Sequence, residues 1–370
     1  MSHIPQLPDF PWDTLASNIA LAHSHPDGVC DLSVGTPVDP TPAVIQRALS
    51  HASDAAGYPT VWGTPRLRQS IIDYVRRRWS APEQVEDACV LPVIGTKELV
   101  GWLPTLLGLG SDDTVVIPDV AYPTYEVGAL MARARVVRAS SPDQVESIQP
   151  GLVWINSPSN PTGAVMTTDQ LAAWVDYARA RGAILAADEC YGEFGWQADP
   201  VSVLDPRVNG GVLDGLVAAY SLSKRSNLAG YRAGFVVGDP SVVQGLLGLR
   251  KHLGMMVSTP VQAAMCAALD DQVHVEEQRR RYLRRRAVLS TALLAQGFRV
   301  DDSQAGLYLW ATRGEPGRVT AQWLAGHGII VAPGDFYGPS GVDHVRIALT
   351  ATDHAISEVR RRLSERQTDI

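Results

Sequence analysis

One lysine lies close to two hydroxyl side chains and an arginine near the middle of the chain. Ser221 and Ser223 precede Lys224, and Arg232 follows eight residues later. A lysine amine bonds reversibly to an aldehyde, while a hydroxyl and a planar guanidinium both bind phosphate. A lysine in a serine-rich turn is often only a solvated loop residue. This combination, however, also suits a phosphorylated aldehyde such as pyridoxal phosphate.

Two further segments place polar residues directly after apolar runs. The first contains Asn160 in Asn-Pro-Thr-Gly, and the second carries Asp188 three residues before Tyr191. By itself the Asn160 segment is an ordinary turn. Together with Lys224, however, the order and spacing resemble the class I/II aminotransferases, which are fold type I pyridoxal-phosphate enzymes. The resemblance extends from residue 31 to residue 349.

Apolar runs alternate with helix-like stretches between residues 86 and 240. Several of these runs show no polar alternation, as expected for strands buried on both faces. We therefore predict an α/β fold with a large, mostly parallel mixed sheet covered by helices, as in fold type I transferases, and a smaller α/β domain. The predicted strands of the large sheet are residues 89–94, 114–117, 135–137, 151–155, 184–187, 215–219 and 233–237.

The predicted domain organisation has three parts. Residues 1–40 form an N-terminal arm and part of the small domain, residues 41–259 the large cofactor-binding domain, and residues 260–370 the small C-terminal domain. The last part is expected to begin with a long helix over residues 273–296 and to continue into strands. Because open α/β sheets bind ligands beyond the carboxyl ends of their strands, we expect the site in the cleft between the domains.

The resemblance implies roles around the cofactor ring. Lys224 would bond to the cofactor aldehyde and, once displaced by substrate, act as the general base. Asp188 would keep the pyridine nitrogen protonated, so that the ring accepts electrons. Tyr191 and Asn160 would donate hydrogen bonds to the phenolic oxygen, and Tyr122 would stack on the ring face.

The phosphate is expected at a helix start. Thr96 and Lys97 follow Gly95, and the free N–H groups of a first helical turn favour an anion. An exposed lysine in a first turn is also common. The phosphate of the cofactor is expected to be bound by Thr96, Lys97, Ser221 and Arg232, and Ser223 is a further cofactor-binding residue implied by the resemblance.

Three further residues are implied at the substrate and subunit boundaries. Arg346 would clamp the substrate α-carboxylate through two hydrogen bonds, and the backbone of Gly35 would approach the same group, with Asn160 nearby. Tyr58 resembles a tyrosine that reaches the cofactor phosphate of the neighbouring subunit. The sequence therefore predicts a homodimer with shared active sites.

Composition narrows the possible partners. The chain has 370 residues, of which 45% are hydrophobic and 19% charged, and its net charge of -7 argues against a nucleic-acid surface. The arginines at residues 279–281 and 284–286 stand beside Glu276 and Glu277 and are interpreted as a solvated helix face. The four cysteines form no C-x-x-C pair, so neither a metal site nor a disulfide framework is predicted. Without an apparent leader or an 18-residue apolar run, we expect a cytoplasmic protein that does not contact membranes.

A narrower resemblance suggests the substrate. Residues 31–40, 57–68 and 94–98 are similar to actinobacterial N-succinyldiaminopimelate aminotransferases of lysine biosynthesis. We therefore predict transfer of an amino group between glutamate/2-oxoglutarate and N-succinyl-2-amino-6-oxopimelate. Both substrates carry distal carboxylates, so a second cationic or N–H-rich subsite is required, which the sequence does not identify.

Three other functions remain open at this point. An aminotransferase for aspartate or aromatic amino acids would use the same catalytic residues, and a cystathionine-type C–S β-lyase would release pyruvate and ammonia on the same scaffold. A pyridoxal-phosphate-sensing transcription regulator would need a basic DNA-binding segment before the cofactor domain. The residues before Asp31 are not basic, which disfavours it.

Overall fold

The computed structural model describes residues 7–365. The prediction of cellular location rests partly on the first residues of the chain. Those residues lie outside the described range. The strands are β1 Cys30–Asp31, β2 Val90–Val93, β3 Thr114–Pro118, β4 Arg135–Ala139, β5 Leu152–Asn156, β6 Ile184–Asp188, β7 Leu216–Ser221, β8 Gly234–Gly238, β9 Arg299–Asp301, β10 Tyr308–Thr312, β11 Ile329–Ile330, β12 Ala332–Pro333 and β13 Val345–Ala348. The α-helices are α1 Ala16–His23, α2 Ala43–His51, α3 Pro65–Trp79, α4 Thr96–Leu106, α5 Thr124–Met131, α6 Thr168–Ala180, α7 Pro206–Asn209, α8 Leu222–Arg225, α9 Pro240–Leu253, α10 Thr259–Asp270, α11 Val273–Ala295, α12 Gly317–Gly326 and α13 Asp353–Ser364.

A seven-stranded sheet forms the centre of the larger part. Its strand order is β2-β8-β7-β6-β5-β3-β4. Only β8 runs antiparallel to its neighbours among these strands, so the sheet is mixed but mostly parallel. Each predicted strand is present, with its ends within two residues of the prediction. The α/β class and the mostly parallel mixed sheet are therefore confirmed.

Helices cover this sheet on both faces, because most of its strand residues are buried and apolar. One core contains residues of α3, α6 and α10, and the opposite core contains residues of α4, α5 and α9. The helix α6 begins with a capping box in which Thr167 and Gln170 satisfy each other's backbone N–H groups. The sheet is thus held rigidly, with the carboxyl ends of β5, β6 and β7 at a common edge.

A second core is built around a four-stranded antiparallel sheet of order β12-β13-β10-β9. The helices α11 and α13 pack together beside it, and β1 pairs in parallel with β11, which brings an N-terminal strand into this part. The helix α10, which follows residue 259, instead packs against α2 and α3 in the large core. The domain limits near residues 40 and 260 stay a prediction.

The arginine-rich helix α11 differs from the sequence-based expectation. Arg285 is only 3% exposed and makes two hydrogen bonds to Asp39, and Arg279 donates to the carbonyl of Gly195. Of the six arginines, Arg280 is one that matches a solvated face, since it is exposed and pairs with Glu276. The interpretation as a solvated face is wrong for Arg285, because distant segments supply its acidic partners. Within residues 7–365, no helix is both long and apolar enough to cross a membrane.

Candidate active site

One cleft brings together nearly all the predicted site residues. The cleft lies at the carboxyl edge of the large sheet, opposite the smaller sheet. Its volume is about 730 Å³. Tyr58 is the exception among the predicted residues: it lies outside the cleft and is 98% exposed. Its predicted role toward a partner subunit stays a prediction. The predicted residues that line the cleft are Gly35, Thr96, Lys97, Tyr122, Asn160, Asp188, Tyr191, Ser221, Ser223, Lys224, Arg232 and Arg346.

Lys224 reaches the cleft from the short helix α8, directly after β7. The Oγ of Ser221 accepts a 3.2 Å hydrogen bond from the N–H of Ser223, which begins this turn. The Nζ of Lys224 donates to the carbonyl oxygen of Gly35. The lysine amine is therefore held in the cleft by a backbone group rather than by an acid.

Asp188 ends β6 and is buried at the floor of the cleft. The hydroxyl of Tyr125 donates to its Oδ2 at 2.8 Å, and the N–H of Cys190 donates to its Oδ1 at 3.2 Å. Burial raises the pKa of Asp188 above its ordinary value, although these donors and Lys224 act in the opposite direction. A cationic ligand group facing Asp188 would favour its ionised form.

Asn160 is held in place by a second asparagine that the sequence analysis did not identify. Asn156 ends β5 beside Asp188, and its Oδ1 accepts a 2.7 Å hydrogen bond from the N–H of Asn160. The Nδ2 of Asn156 donates to the carbonyl of Asp188 at 2.7 Å. Asn156 therefore fixes the Asn160 turn against the end of β6.

Arg346 projects into the cleft from β13 and is only 3% exposed. Its guanidinium donates to the Oδ1 of Asn160 at 2.9 Å and to the carbonyl of Ser33 at 2.6 Å. The ring of Tyr308 lies 4.1 Å from its Cζ, a cation–π arrangement. The Nε has no hydrogen-bond partner among the described residues. A buried guanidinium with a free donor is suited to a carboxylate ligand.

Two tyrosines close the cleft beside this arginine. The hydroxyl oxygens of Tyr191 and Tyr308 are 3.1 Å apart. Burial raises the pKa of Tyr191 well above its ordinary value, so the side chain remains a phenol that can donate a hydrogen bond. A Cβ at Gly35 would lie 2.0 Å from the hydroxyl of Tyr308. A side chain at this position would therefore require the buried ring of Tyr308 to move.

The predicted binding site for the cofactor phosphate lies at the start of α4. Gly95 precedes Thr96 with a φ of +76°, and no side chain caps the helix. Thr96 and Lys97 of this uncapped first turn line the cleft. A Cβ at Gly95 would lie 2.4 Å from an Nη of Arg232, so that guanidinium packs directly on the glycine. The Nζ of Lys97 lies 5.7 Å from the ring centre of Phe10, toward another part of the cleft.

Several site residues were missed by the sequence analysis. Asn156 and Cys190 could have been found, because both stand beside predicted residues at strand ends. Tyr308 and the aromatic residues Phe10 and Trp12 come from distant segments and carry no local signal. Only the packing of the second core and the N-terminal segment against the large sheet brings them here.

Comparisons with known proteins agree with this geometry. The family model described as aminotransferase class I and II matches residues 27–363. The "Probable aminotransferase Rv1178" of Mycobacterium tuberculosis is 60% identical over 97% of this chain and 85% of that protein. The "4-dedimethylamino-4-oxo-anhydrotetracycline transaminase OxyQ" of Streptomyces rimosus is 53% identical over 97% of this chain and 99% of that protein. An LL-diaminopimelate aminotransferase of Dehalococcoides mccartyi is 30% identical over 96% of this chain and 95% of its own.

Solved structures give the same result. An aminotransferase of Neisseria meningitidis is 31% identical, superposes with a TM-score of 0.85, and is covered over 97% of both chains. The matched family and the arrangement of Lys224 and Asp188 at the strand ends are mutually consistent. This chain therefore belongs to the class I and II aminotransferases and uses pyridoxal 5'-phosphate as its cofactor.

Proposed function

We propose that this aminotransferase moves the amino group of glutamate to N-succinyl-2-amino-6-oxopimelate. The observation that carries the proposal is a second chamber of about 680 Å³ beside the cleft. Phe10, Trp12, Lys97 and Tyr122 line both spaces. This chamber offers room for an acceptor much longer than a simple 2-oxo acid.

The charges around the two spaces support an acceptor with two anionic ends. Arg346 lies in the cleft, and Lys97 stands at the junction with the chamber. Arg138 and Arg318 in the chamber wall are paired with Glu126 and Asp335. Lys97 and the exposed Asp9 are the charged lining residues that make no ion pair within the described part of the chain. Lys97 is therefore the free cation best placed to meet a distal carboxylate, a role different from the phosphate contact predicted from the sequence. The LL-diaminopimelate relative supports a substrate of the diaminopimelate type.

The residues present fit the cofactor. Asp188 is a buried carboxylate whose pKa is raised by burial, and a protonated ring nitrogen would supply the cation that it lacks. The open start of α4, with Arg232 packed on Gly95, offers N–H groups and a guanidinium to a phosphate. Lys224 presents its amine in the same cleft for the covalent bond. When bound, pyridoxal phosphate supplies a ring that accepts the electron pair left at the substrate α-carbon.

The chain's own groups then account for orientation and proton movement. Arg346 binds the α-carboxylate and so fixes the direction of the α-hydrogen. The Nζ of Lys224, which contacts the Gly35 carbonyl, would accept that proton and donate it to the carbon that receives the amino group. Tyr191 remains a phenol and would donate a hydrogen bond to the ring oxygen of the bound cofactor. These roles require no further catalytic group.

A second candidate acceptor is a polycyclic aromatic ketone. Its support is the aromatic lining of the chamber by Phe10, Trp12, Tyr122 and Phe336, together with the 53% identity to the transaminase OxyQ, whose name specifies an anhydrotetracycline ketone. Aromatic walls favour a flat apolar ligand. The two candidates differ in whether the distal part of the acceptor is a flexible dicarboxylate or a rigid ring system.

Acceptor competition tests the proposal. With glutamate as donor, kcat/KM should be at least about tenfold higher for N-succinyl-2-amino-6-oxopimelate than for oxaloacetate or phenylpyruvate. Lys97→Gln should remove most of that preference. A preference for a polycyclic ketone would favour the second candidate, and a preference for either simple acid would refute both. Release of pyruvate from cystathionine without an acceptor would identify a lyase instead.

A further inference from the structure

An irregular segment joins the two cores across the cleft. We call residues 32–42, which link β1 to α2, the strap. At one end β1 pairs with β11 in the smaller part, and at the other Ile45 of α2 is buried in the large core. Its central residues have no helical or strand ladder to fix them. The carbonyl of Leu32 is still held by the backbone N–H of Ala348. Beyond Leu32, side-chain donors contact the carbonyl groups of residues 33–35.

Two of those carbonyls contact proposed catalytic and substrate-binding groups. The carbonyl of Ser33 accepts a 2.6 Å hydrogen bond from Arg346, and the carbonyl of Gly35 accepts one from Lys224. The strap thus shares one wall of the cleft with both side chains. A shift of its backbone would change the direction of the Arg346 guanidinium.

Asp39 is the charged anchor of the strap. Its carboxylate accepts two hydrogen bonds of 2.8 Å from Arg285, one of 2.8 Å from Gln278, and pairs with Arg281 at 3.0 Å. Burial acts to raise the pKa of Asp39, but the hydrogen bonds from Arg285 and Gln278 and the nearby guanidinium charges outweigh it, so the pKa lies below its ordinary value. Asp39 is therefore an ionised, fully paired carboxylate.

Arg285 connects this anchor to the smaller core. It is 3% exposed, and besides Asp39 its Nε contacts the Oδ1 of Asp353 at the start of α13 at 2.5 Å. A planar guanidinium that uses three donors in this way fixes both the orientation and the distance of the Asp39 carboxylate. An ammonium group cannot do this. The arginine-rich run of α11 thus includes a rigid support for the strap.

We propose that the buried Asp39–Arg285 pair is a positioning device for the substrate carboxylate site. By holding the strap, the pair keeps the Ser33 carbonyl against Arg346 and so fixes the guanidinium in the orientation that binds the α-carboxylate. Neither Asp39 nor Arg285 lines the cleft, so both act through the strap. This inference rests on the role proposed above for Arg346.

Binding of an unreactive ligand tests the device. The probe is 2-methylglutamate, which has no α-hydrogen, titrated into the holoenzyme by calorimetry. Asp39→Asn should raise the Kd of 2-methylglutamate by about tenfold, because a small displacement of an orienting group has large effects on binding. The Kd of pyridoxal phosphate should stay within about twofold of its original value. Arg285→Lys keeps the charge without the two-point contact and should show the same direction of change. It also carries the test if Asp39→Asn does not fold.

Two controls separate the possible outcomes. Arg280→Gln removes an exposed ion pair on the same helix and should leave both dissociation constants unchanged. If Asp39→Asn and Arg285→Lys lower Tm but bind 2-methylglutamate like Arg280→Gln, the pair is only structural and the proposal is overturned. Arg346→Lys is measured in parallel. If Arg346→Lys weakens binding but Asp39→Asn and Arg285→Lys do not, the positioning device is refuted and the carboxylate role of Arg346 stands. Unchanged binding in Arg346→Lys refutes the carboxylate role and the device together.

Discussion

The Nη1 of Arg346 lies 2.9 Å from the Oδ1 of Asn160, although 186 residues separate them in the chain. One comes from the antiparallel sheet of the smaller part and the other from the turn after β5 of the large sheet. This contact spans the cleft, so the proposed carboxylate site depends on both cores being in place. Changes at Arg346 should therefore affect substrate binding before they affect cofactor binding, whereas changes at Asn160 should affect both.

Replacement of Arg346 by lysine should weaken substrate binding. An ammonium cannot reproduce the forked geometry, so KM for glutamate is expected to rise by about tenfold or more. The dissociation constant of pyridoxal phosphate should change little, since Arg346 lies away from the start of α4. Steady-state kinetics and cofactor titration measure the two quantities. Equal losses in both would indicate a structural arginine.

Replacement of Lys224 by alanine should abolish turnover and the absorption band of the covalently bound cofactor. Lys224 is the lysine placed beside Asp188 in the cleft, with its amine held by the Gly35 carbonyl. Borohydride reduction followed by peptide mapping should locate the label on this residue. Lys251→Ala is the matched control, because Lys251 is exposed near the end of α9 and should retain full activity. A label on Lys97 or Lys251 would contradict the assignment.

Replacement of Asp188 by asparagine should retain the cofactor but reduce kcat by about a hundredfold or more, because a preorganised charge opposite the ring is lost while the shape is kept. Cofactor content and kcat are measured on the same preparation. Asp199→Asn changes an acid that is 92% exposed and should have no effect on either quantity. Near-normal turnover of Asp188→Asn would refute the role of this carboxylate.

The sequence identified the motifs that follow local chain order and missed those created by packing. Asp188 and Lys224 each follow an apolar strand, so their approximate location could be predicted from strand patterns alone. Tyr308 and Asp39 have no such signal, because their partners lie far away in the chain. The burial of Arg285 could not be predicted for the same reason: helix periodicity gives the direction of a side chain but not what packs there.

Stability should depend on pH through Glu189, the buried neighbour of Asp188. Burial raises its pKa to about 7, despite hydrogen bonds from Tyr220 and Val203. The folded state therefore binds this proton more tightly than the unfolded state, and stability is lost as pH rises from the ordinary value of 4.5 toward 7. Glu189→Gln mimics the protonated form, so it should stabilise the protein at pH 8 by about 1–3 kcal/mol. At about pH 4.5, where the folded state holds the proton and the unfolded state is about half protonated, that gain should be much smaller.

Thermal or urea unfolding of the holoenzyme at about pH 4.5 and pH 8 checks this expectation. Glu277→Gln serves as a control because Glu277 is exposed on α11 and makes no ion pair within residues 7–365. An equal effect of Glu189→Gln at both pH values would show that Glu189 does not titrate in this range.

Tyr58 provides the test of the shared-site prediction. Its side chain is 98% exposed and contributes nothing to the cleft of its own chain. If it reaches a neighbouring phosphate, Tyr58→Phe should weaken pyridoxal phosphate binding by about tenfold, since one hydrogen bond to a charged group is lost. Tyr231→Phe, also at an exposed tyrosine, is the comparison. A monomer in sedimentation, or unchanged cofactor affinity in Tyr58→Phe, would contradict a shared site.

The half-reaction of the holoenzyme shows which amino acids donate their amino group to this enzyme. Glutamate, aspartate, an aromatic amino acid and N-succinyl-diaminopimelate are added separately, and the absorption of the cofactor is followed without any acceptor. We expect rapid conversion to the aminated form of the cofactor with glutamate and N-succinyl-diaminopimelate, and slow conversion with the other two. Rapid conversion only by aspartate or the aromatic amino acid would contradict the proposed substrate, and no conversion by any of the four would contradict the account of the site.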